Sequence, residues 1–254
     1  MSKTVNVIVL ITLLVFAAVV FLNLDQNRLT TERPDYITNL ITENGSLNAV
    51  GAVYLDYRFY DTLFEVAVFF VAAFGVVMVL KRLPATVSEE HKNNIDYNLN
   101  GEAVDFRMKT AGTVIFFLSQ LFAIYIILTG HLGPGGGFVG GVVAGTGVLV
   151  LSGTRDIEGI DKGLHDLGIP VFEKVIMLTL PLYGLIGLFA FDAALSNFHL
   201  LELTGIKDSR LWGIGRGELI SGGTALFLNM AIGIKVFAGS WAILHHFVKH
   251  RGVV

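Results

Sequence analysis

Six runs of about 20 mostly apolar residues dominate this sequence, each long enough to cross roughly 30 Å of hydrocarbon. They lie at 5–23, 62–80, 110–129, 134–152, 171–191 and 218–245. The pattern predicts an all-α polytopic membrane protein with six transmembrane helices. Composition agrees: 53% of residues are hydrophobic and 15% charged, against about 25% charged in a soluble domain. In the first run, Lys3 ahead of an apolar stretch also resembles a secretory signal. That run is longer than a usual signal core and ends in Phe21-Leu22-Asn23-Leu24-Asp25, without a small-x-small cleavage site, which favours a retained span.

Lysine and arginine set the orientation. With six spans, Lys3, Lys81, Arg82, Lys92, Arg107, Lys109, Arg155, Lys162, Lys174, Lys249 and Arg251 share one side. Arg28, Arg33, Arg58, Lys207, Arg210 and Arg216 lie on the other. The bias predicts that both termini are cytoplasmic. The near-zero net charge, −3, argues against a nucleic-acid partner. The chain contains no cysteine, which excludes disulfides, thiolate catalysis and cysteine-bound zinc or iron–sulfur clusters within it.

The polar segment 83–106 divides the chain into a two-span unit, 1–82, and a four-span unit, 107–254, with a cytoplasmic linker between them. A single six-span domain with a long loop is equally compatible with the pattern. No internal repeat points to a transporter built from two inverted halves.

Several polar groups sit where lipid makes them costly. On a helix, Arg58, Asp61 and Glu65 share a face, and Glu65 falls about one turn inside the apolar run. Asp61 alone also suits a helix N-terminus, where the dipole favours an acid. By the same topology His131, Asp192 and Glu218 fall at or near the same outer level. Such a set suits an ion path, since imidazole titrates near neutral pH and carboxylates bind protons or Na⁺. For Asp192 and Glu218, ordinary helix-end polarity is the stronger alternative. Lys235 lies inside the sixth run, and either snorkels to the interface or pairs with a buried acid. His245, His246 and His250 read as headgroup-level residues rather than a metal site.

The stretch 130-GHLGPGGGFVGG-141 concentrates glycine around His131 and Pro134. Pro134 suits a first helical turn. Gly133, Gly137, Gly141 and Gly145 then recur every four residues, a small-residue face that lets membrane helices pack closely. Packing does not account for His131 or for Gly135 directly after the proline. An unwound helix start with exposed carbonyls and amides beside a titratable imidazole accounts for both.

These residues carry a resemblance. His131-Leu-Gly-Pro134-Gly135-Gly136-Gly137-Phe138 followed by Gly140-Gly141 resembles the signature of the MnhB/MrpB component of Mrp-type multisubunit Na⁺/H⁺ antiporters. The same domain is the F-type component of membrane-bound hydrogenase complexes. Leu55-Asp56-Tyr57-Arg58-Phe59-Tyr60-Asp61-Thr62-Leu63-Phe64-Glu65 is similar to the C-terminal end of the large, A-type antiporter component, which is the small E-type component in the hydrogenase arrangement. The resemblance implies an E-type unit fused to an F- or B-type unit, without catalysis of its own. Its transported ions would be Na⁺ and H⁺, and it would hold no bound cofactor. It would work with small subunits of C and G type and an antiporter-like large subunit, in a hydrogenase or sulfane-reductase type complex. Asp61, Glu65 and His131 would relay or shape the ion route with Pro134 and Gly135, supported by Asp56 and Arg58. Lys235 and Glu218 lie outside the matched motifs and join the expected path by depth alone. A non-conducting scaffold subunit is the competing expectation.

Overall fold

The computed structural model describes residues 46–82, 106–155, 157–191 and 224–249, with a few helical positions between Ile8 and Leu22. Every regular element among these residues is helical. A single turn, α1 (Ala49–Ala52), runs through a π-helical turn (Val53–Tyr57) into α2 (Phe59–Arg82). Then come α3 (Phe106–Thr129), α4 (Gly137–Ser152), α5 (Ile157–Asp166), α6 (Ile169–Phe191) and α7 (Ala225–Lys249).

Three helices, α2, α3 and α7, are long and apolar enough to cross a membrane, and α5 with α6 makes a fourth if the bent pair counts as one span. The expected fourth span is a shorter helix of 16 residues. Residues 192–223 and most of 1–45 lie outside the described residues, and with them Asp192, Glu218, the linker 83–105 and most of the first apolar run.

The helix α7 is the hub. Half of its most apolar stretch is buried, against 22% in α2 and 17% in α3, and it packs on α2, α3, α4 and α6. The core joins residues from either side of the 83–106 segment: Leu55, Phe59, Leu63 and Val66 pack with Ile176, Met177 and Leu180 of α6 and with Leu228, Ile232 and Val236 of α7. The outward faces of α2 and α3 carry exposed apolar side chains such as Val68, Val71, Phe117 and Leu121, suited to lipid or to neighbouring membrane subunits.

Glycine decides how α4 sits. A Cβ on Gly137 would collide with the Asn229 carbonyl, one on Gly141 would lie 2.7 Å from the Gly233 carbonyl, and one on Gly145 2.9 Å from Ser240 Cβ. On another side, Cβ atoms at Gly140 and Gly147 would strike Ile127 and Ser119 of α3. So α4 is wedged between α3 and α7 with glycine toward both, and dispersion contacts close over bare backbone. Gly133 is not part of this face; a Cβ there meets nothing within 4 Å.

The helix start corrects the sequence expectation. Pro134 does not occupy the first turn of α4 but the bend before it, and the helix begins at Gly137. Gly135 and Gly136 take φ of 147° and 137°, a conformation that a Cβ disfavours and that interrupts any helix reaching back to Pro134. The 16 residues of α4 rise about 24 Å, short of the hydrocarbon thickness of roughly 30 Å. The 130–136 turn joins it to α3 as irregular backbone.

Candidate functional site

Buried irregular backbone is tolerated only where protein or water satisfies its polar groups. Here the 46–54 segment supplies the donors. Asn48 caps α1 by accepting from the Val50 amide at 3.1 Å, and its Nδ2 donates to the carbonyls of Gly130 at 2.8 Å and Gly133 at 2.7 Å. The His131 carbonyl accepts from the Leu47 and Asn48 amides at 3.2 and 3.1 Å. The Tyr54 hydroxyl donates to the Gly135 carbonyl at 3.2 Å and lies 3.4 Å from Asn229 Oδ1. Burial pushes the Tyr54 phenol up to about 12, offset in part by Asn229 and reinforced by the Glu65 carboxylate, so it remains a donor. The carbonyls expected to be exposed are thus occupied by Asn48 and Tyr54. Gly51 permits the approach, since a Cβ there would lie 2.8 Å from the Gly130 carbonyl.

Gly136, the N-cap of α4, has no side chain to hold the first helical amides. Asn229 of α7 does so across the helix interface, accepting from the Gly137 amide at 2.9 Å. His131 is wholly buried beside this arrangement.

A second level lies six residues further along α7, about 9 Å by helical rise. Lys235 is fully buried. Its Nζ lies 3.1 Å from Glu173 Oε1 of α6, and 5.2 and 5.3 Å from the ring centroids of Phe69 and Phe70 of α2. Of the two readings of Lys235, snorkelling and pairing, the structure has pairing. A carboxylate and two aromatic faces replace water around the ammonium. Gly239, one turn on, leaves the room: a Cβ there would press on Phe69 and come within 3.4 Å of Nζ.

A third level lies near the C-terminal end of α7. Trp241 Nε1 donates to Asp161 Oδ1 of α5 at 3.0 Å, and His245 Nδ1 lies 3.5 Å from the same oxygen. A 51° bend between α5 and α6 turns the amphipathic α5 against this end of α7, and Gly168, with φ of 74°, supplies the turn.

The remaining expected residues are placed differently. Arg58 and Asp61 pair at 2.6 Å, with half-exposed side chains, and Arg58 sits in the turn before α2 rather than on the helix. Asp56 is buried in the π-helical turn. Glu65 is exposed on the outside of α2. The structure therefore sets Asp61 and Glu65 on an outer surface while His131 lies inside, and it is Asn48 and Tyr54 of the same unit that meet the glycine turn.

Asn48, Tyr54, Glu173 and Asn229 do not stand out in the sequence as site residues. Two of them leave a signal there: Asn48 precedes Ala-Val-Gly-Ala as an N-cap residue does, and Glu173 is an ionisable group just inside the 171–191 run.

Residues 107–242 match the family described as a domain related to the MnhB subunit of Na⁺/H⁺ antiporters. The chain belongs to this MnhB-related family. The matched region carries the glycine turn, α4, Glu173 and Lys235, while the 46–82 segment precedes it. The MnhB-related chain is 29% identical over 218 residues to an uncharacterized protein of Methanocaldococcus jannaschii, covering 80% of this chain and 76% of that one. It is 36% identical over 56 residues to the B-type component of a Na⁺/H⁺ antiporter of Bacillus subtilis, a stretch that is 22% of this chain and 39% of that protein. Among solved structures, it is similar to a chain of the membrane-bound sulfane sulfur reductase, an archaeal respiratory membrane complex. That likeness has a TM-score of 0.58 and 27% identity, and covers 95% of this chain and 97% of the other. The MnhB-related chain is a multi-pass membrane protein, as its family and apolar helices require.

Proposed function

We propose that the chain is a membrane subunit of an Mrp-type cation/proton antiport module, and that it contributes part of the Na⁺ or H⁺ path inside a respiratory complex of the sulfane-reductase or hydrogenase type. The observation that carries this reading is Lys235, wholly buried in a membrane helix and paired with Glu173. A charge at that depth costs several kcal/mol even when paired, about as much as its attraction returns. An apolar pair would hold the helices together at least as well, so an ammonium retained there argues for moving charge. Family membership and the full-length likeness to one chain of a respiratory membrane complex support the setting. Since 95% of the chain is covered, that likeness must include most of the 46–82 segment, in keeping with an E-type unit joined to an F- or B-type unit in one chain.

In this reading the chain has six spans with both termini cytoplasmic, and no catalysis of its own. Its partners are small subunits of C and G type and an antiporter-like large subunit. Glu65, exposed one turn inside α2, faces such a partner and continues the path there with Asp61. His131, Pro134, Gly135 and Glu218 flank it at the outer level.

A scaffold role for the glycine turn itself has its own support: the carbonyls of Gly130, His131, Gly133 and Gly135 all accept hydrogen bonds from the 46–54 segment. The two roles separate in the purified complex reconstituted in vesicles. Lys235→Met and Glu65→Gln are expected to leave it assembled and stop cation-coupled proton movement, whereas His131→Ala is expected to impair assembly first. Native transport by the assembled Lys235→Met complex contradicts the ion-path reading, and native transport by the assembled Glu65→Gln complex removes Glu65 from the path.

A further inference from the structure

Between α5, the start of α6 and the C-terminal half of α7 lies a cavity of about 190 Å³, room for several water molecules. Its walls carry Asp161 and His165 from α5, Glu173 from α6, and Trp241, His245 and His246 from α7. His165 is exposed at its mouth. Glu173 keeps 18% of its side chain accessible, while Lys235 behind it has none. The cavity thus leads from the surface to the carboxylate of the buried pair and stops there.

Its chemistry favours one ion. A Na⁺ ion needs several oxygen ligands in place of its water, but Glu173 already faces an ammonium at 3.1 Å, and much of the remaining polar wall is imidazole. Imidazole exchanges protons near neutral pH. His246 Nδ1 lies 2.8 Å from the Ala242 carbonyl. A carbonyl only accepts, so Nδ1 carries the hydrogen and Nε2 takes any further proton. Lys235, Ala242 and His246 also lie along one face of α7. Around the ammonium, α6 contributes Glu173, α2 the rings of Phe69 and Phe70, and α4 packs on α7 through Gly137, Gly141 and Gly145.

We propose that this cavity is the port through which protons from the aqueous side at the C-terminal end of α7 reach the Glu173–Lys235 pair. The proposal rests on the reading of Lys235 as part of an ion path, and it names the proton as the ion delivered there. A proton held on His246 Nε2 passes through cavity water to the Glu173 carboxylate. One N–H bond breaks as one O–H bond forms, leaving a neutral imidazole and a carboxylic acid, and the Lys235 ammonium keeps its three hydrogens. The reverse transfer empties the site.

The absence of cysteine from the chain makes the test specific. In the full complex in oriented vesicles, Ala242→Cys is treated with a membrane-impermeant cationic methanethiosulfonate. The thiol is expected to react only from the side of the α7 C-terminus, and labelling to slow proton flux by about tenfold or more relative to the same variant unlabelled, the scale of losing a proton-transfer step. The native complex, treated alike, controls for cysteines of other subunits. If Ala242→Cys does not assemble, His165→Cys at the mouth gives the same two readouts. Reaction from the opposite side, or flux unchanged on labelling, overturns the port. Lys235→Met tells the two ideas apart: transport lost in Lys235→Met but intact after labelling removes the port alone, whereas native transport by Lys235→Met removes the path reading beneath it.

Discussion

Lys235 Nζ and Glu173 Oε1 lie 3.1 Å apart, yet the two partners are unequally placed: the lysine side chain is fully enclosed and the glutamate keeps 18% of its side chain accessible beside a cavity. The pair is therefore lopsided in its solvation. Removing the glutamate strands a buried cation, whereas removing the lysine leaves a carboxylate that water can reach.

That asymmetry predicts unequal stabilities. Glu173→Gln is expected to destabilise the chain by about 3 kcal/mol, the scale of an uncompensated buried charge, and Lys235→Met by clearly less. The double variant should recover part of the Glu173→Gln loss. Thermal denaturation of the detergent-solubilised complex, arranged as a double-mutant cycle, checks this.

Asn48 both caps α1 and holds the Gly130 and Gly133 carbonyls. Asn48→Asp keeps the capping oxygen and loses both donors; Asn48→Ala loses all three bonds. Asn48→Ala is expected to cost about 3 kcal/mol, roughly 1 from the cap and the remainder from two carbonyls left without a donor. Hydrogen exchange in the 130–137 turn should speed up in both variants, while the Val50 amide stays protected in Asn48→Asp alone.

The glycines of the turn and of α4 should not respond alike. Gly137→Ala and Gly141→Ala push α4 off the backbone of α7 and are expected to cost about 1–3 kcal/mol each, the range for overpacking. Gly133→Ala, with open space around its Cβ, should be nearly silent. Yield and melting temperature of the assembled complex distinguish the two sets.

The Arg58–Asp61 pair is half exposed. Arg58→Ala should change stability by less than about 1 kcal/mol. Glu65→Gln, on the exposed side of α2, should leave folding unchanged and stop cation-coupled transport. A melting curve beside a vesicle flux assay separates the two effects.

Much of the architecture is legible in the sequence, since length and hydropathy select apolar helices regardless of what they pack against. The runs at 62–80, 110–129 and 171–191 fall within or closely overlap α2, α3 and α6, and the four-residue spacing of Gly137, Gly141 and Gly145 marks a packing face that meets α7. The start of α4 is not legible there, because Pro134 fits a first helical turn equally well in isolation. The φ values of Gly135 and Gly136 that exclude it are imposed by the neighbouring segment, with Tyr54 donating to Gly135 and filling the space where a Gly136 side chain would stand.

Residue order alone dictates that this chain lives in a membrane, which helix faces carry glycine and charge, and to which family it belongs. Periodicity assigns a side chain to a face of its own helix and says nothing about what lies opposite. The partners are set by helix docking instead. Lys235 meets Glu173 across 62 residues of chain, and Asn48 meets the glycine turn across 82 and 85. In an apolar medium a buried polar group without a partner is costly, so helix docking that brings these groups together is favoured and selects which two meet.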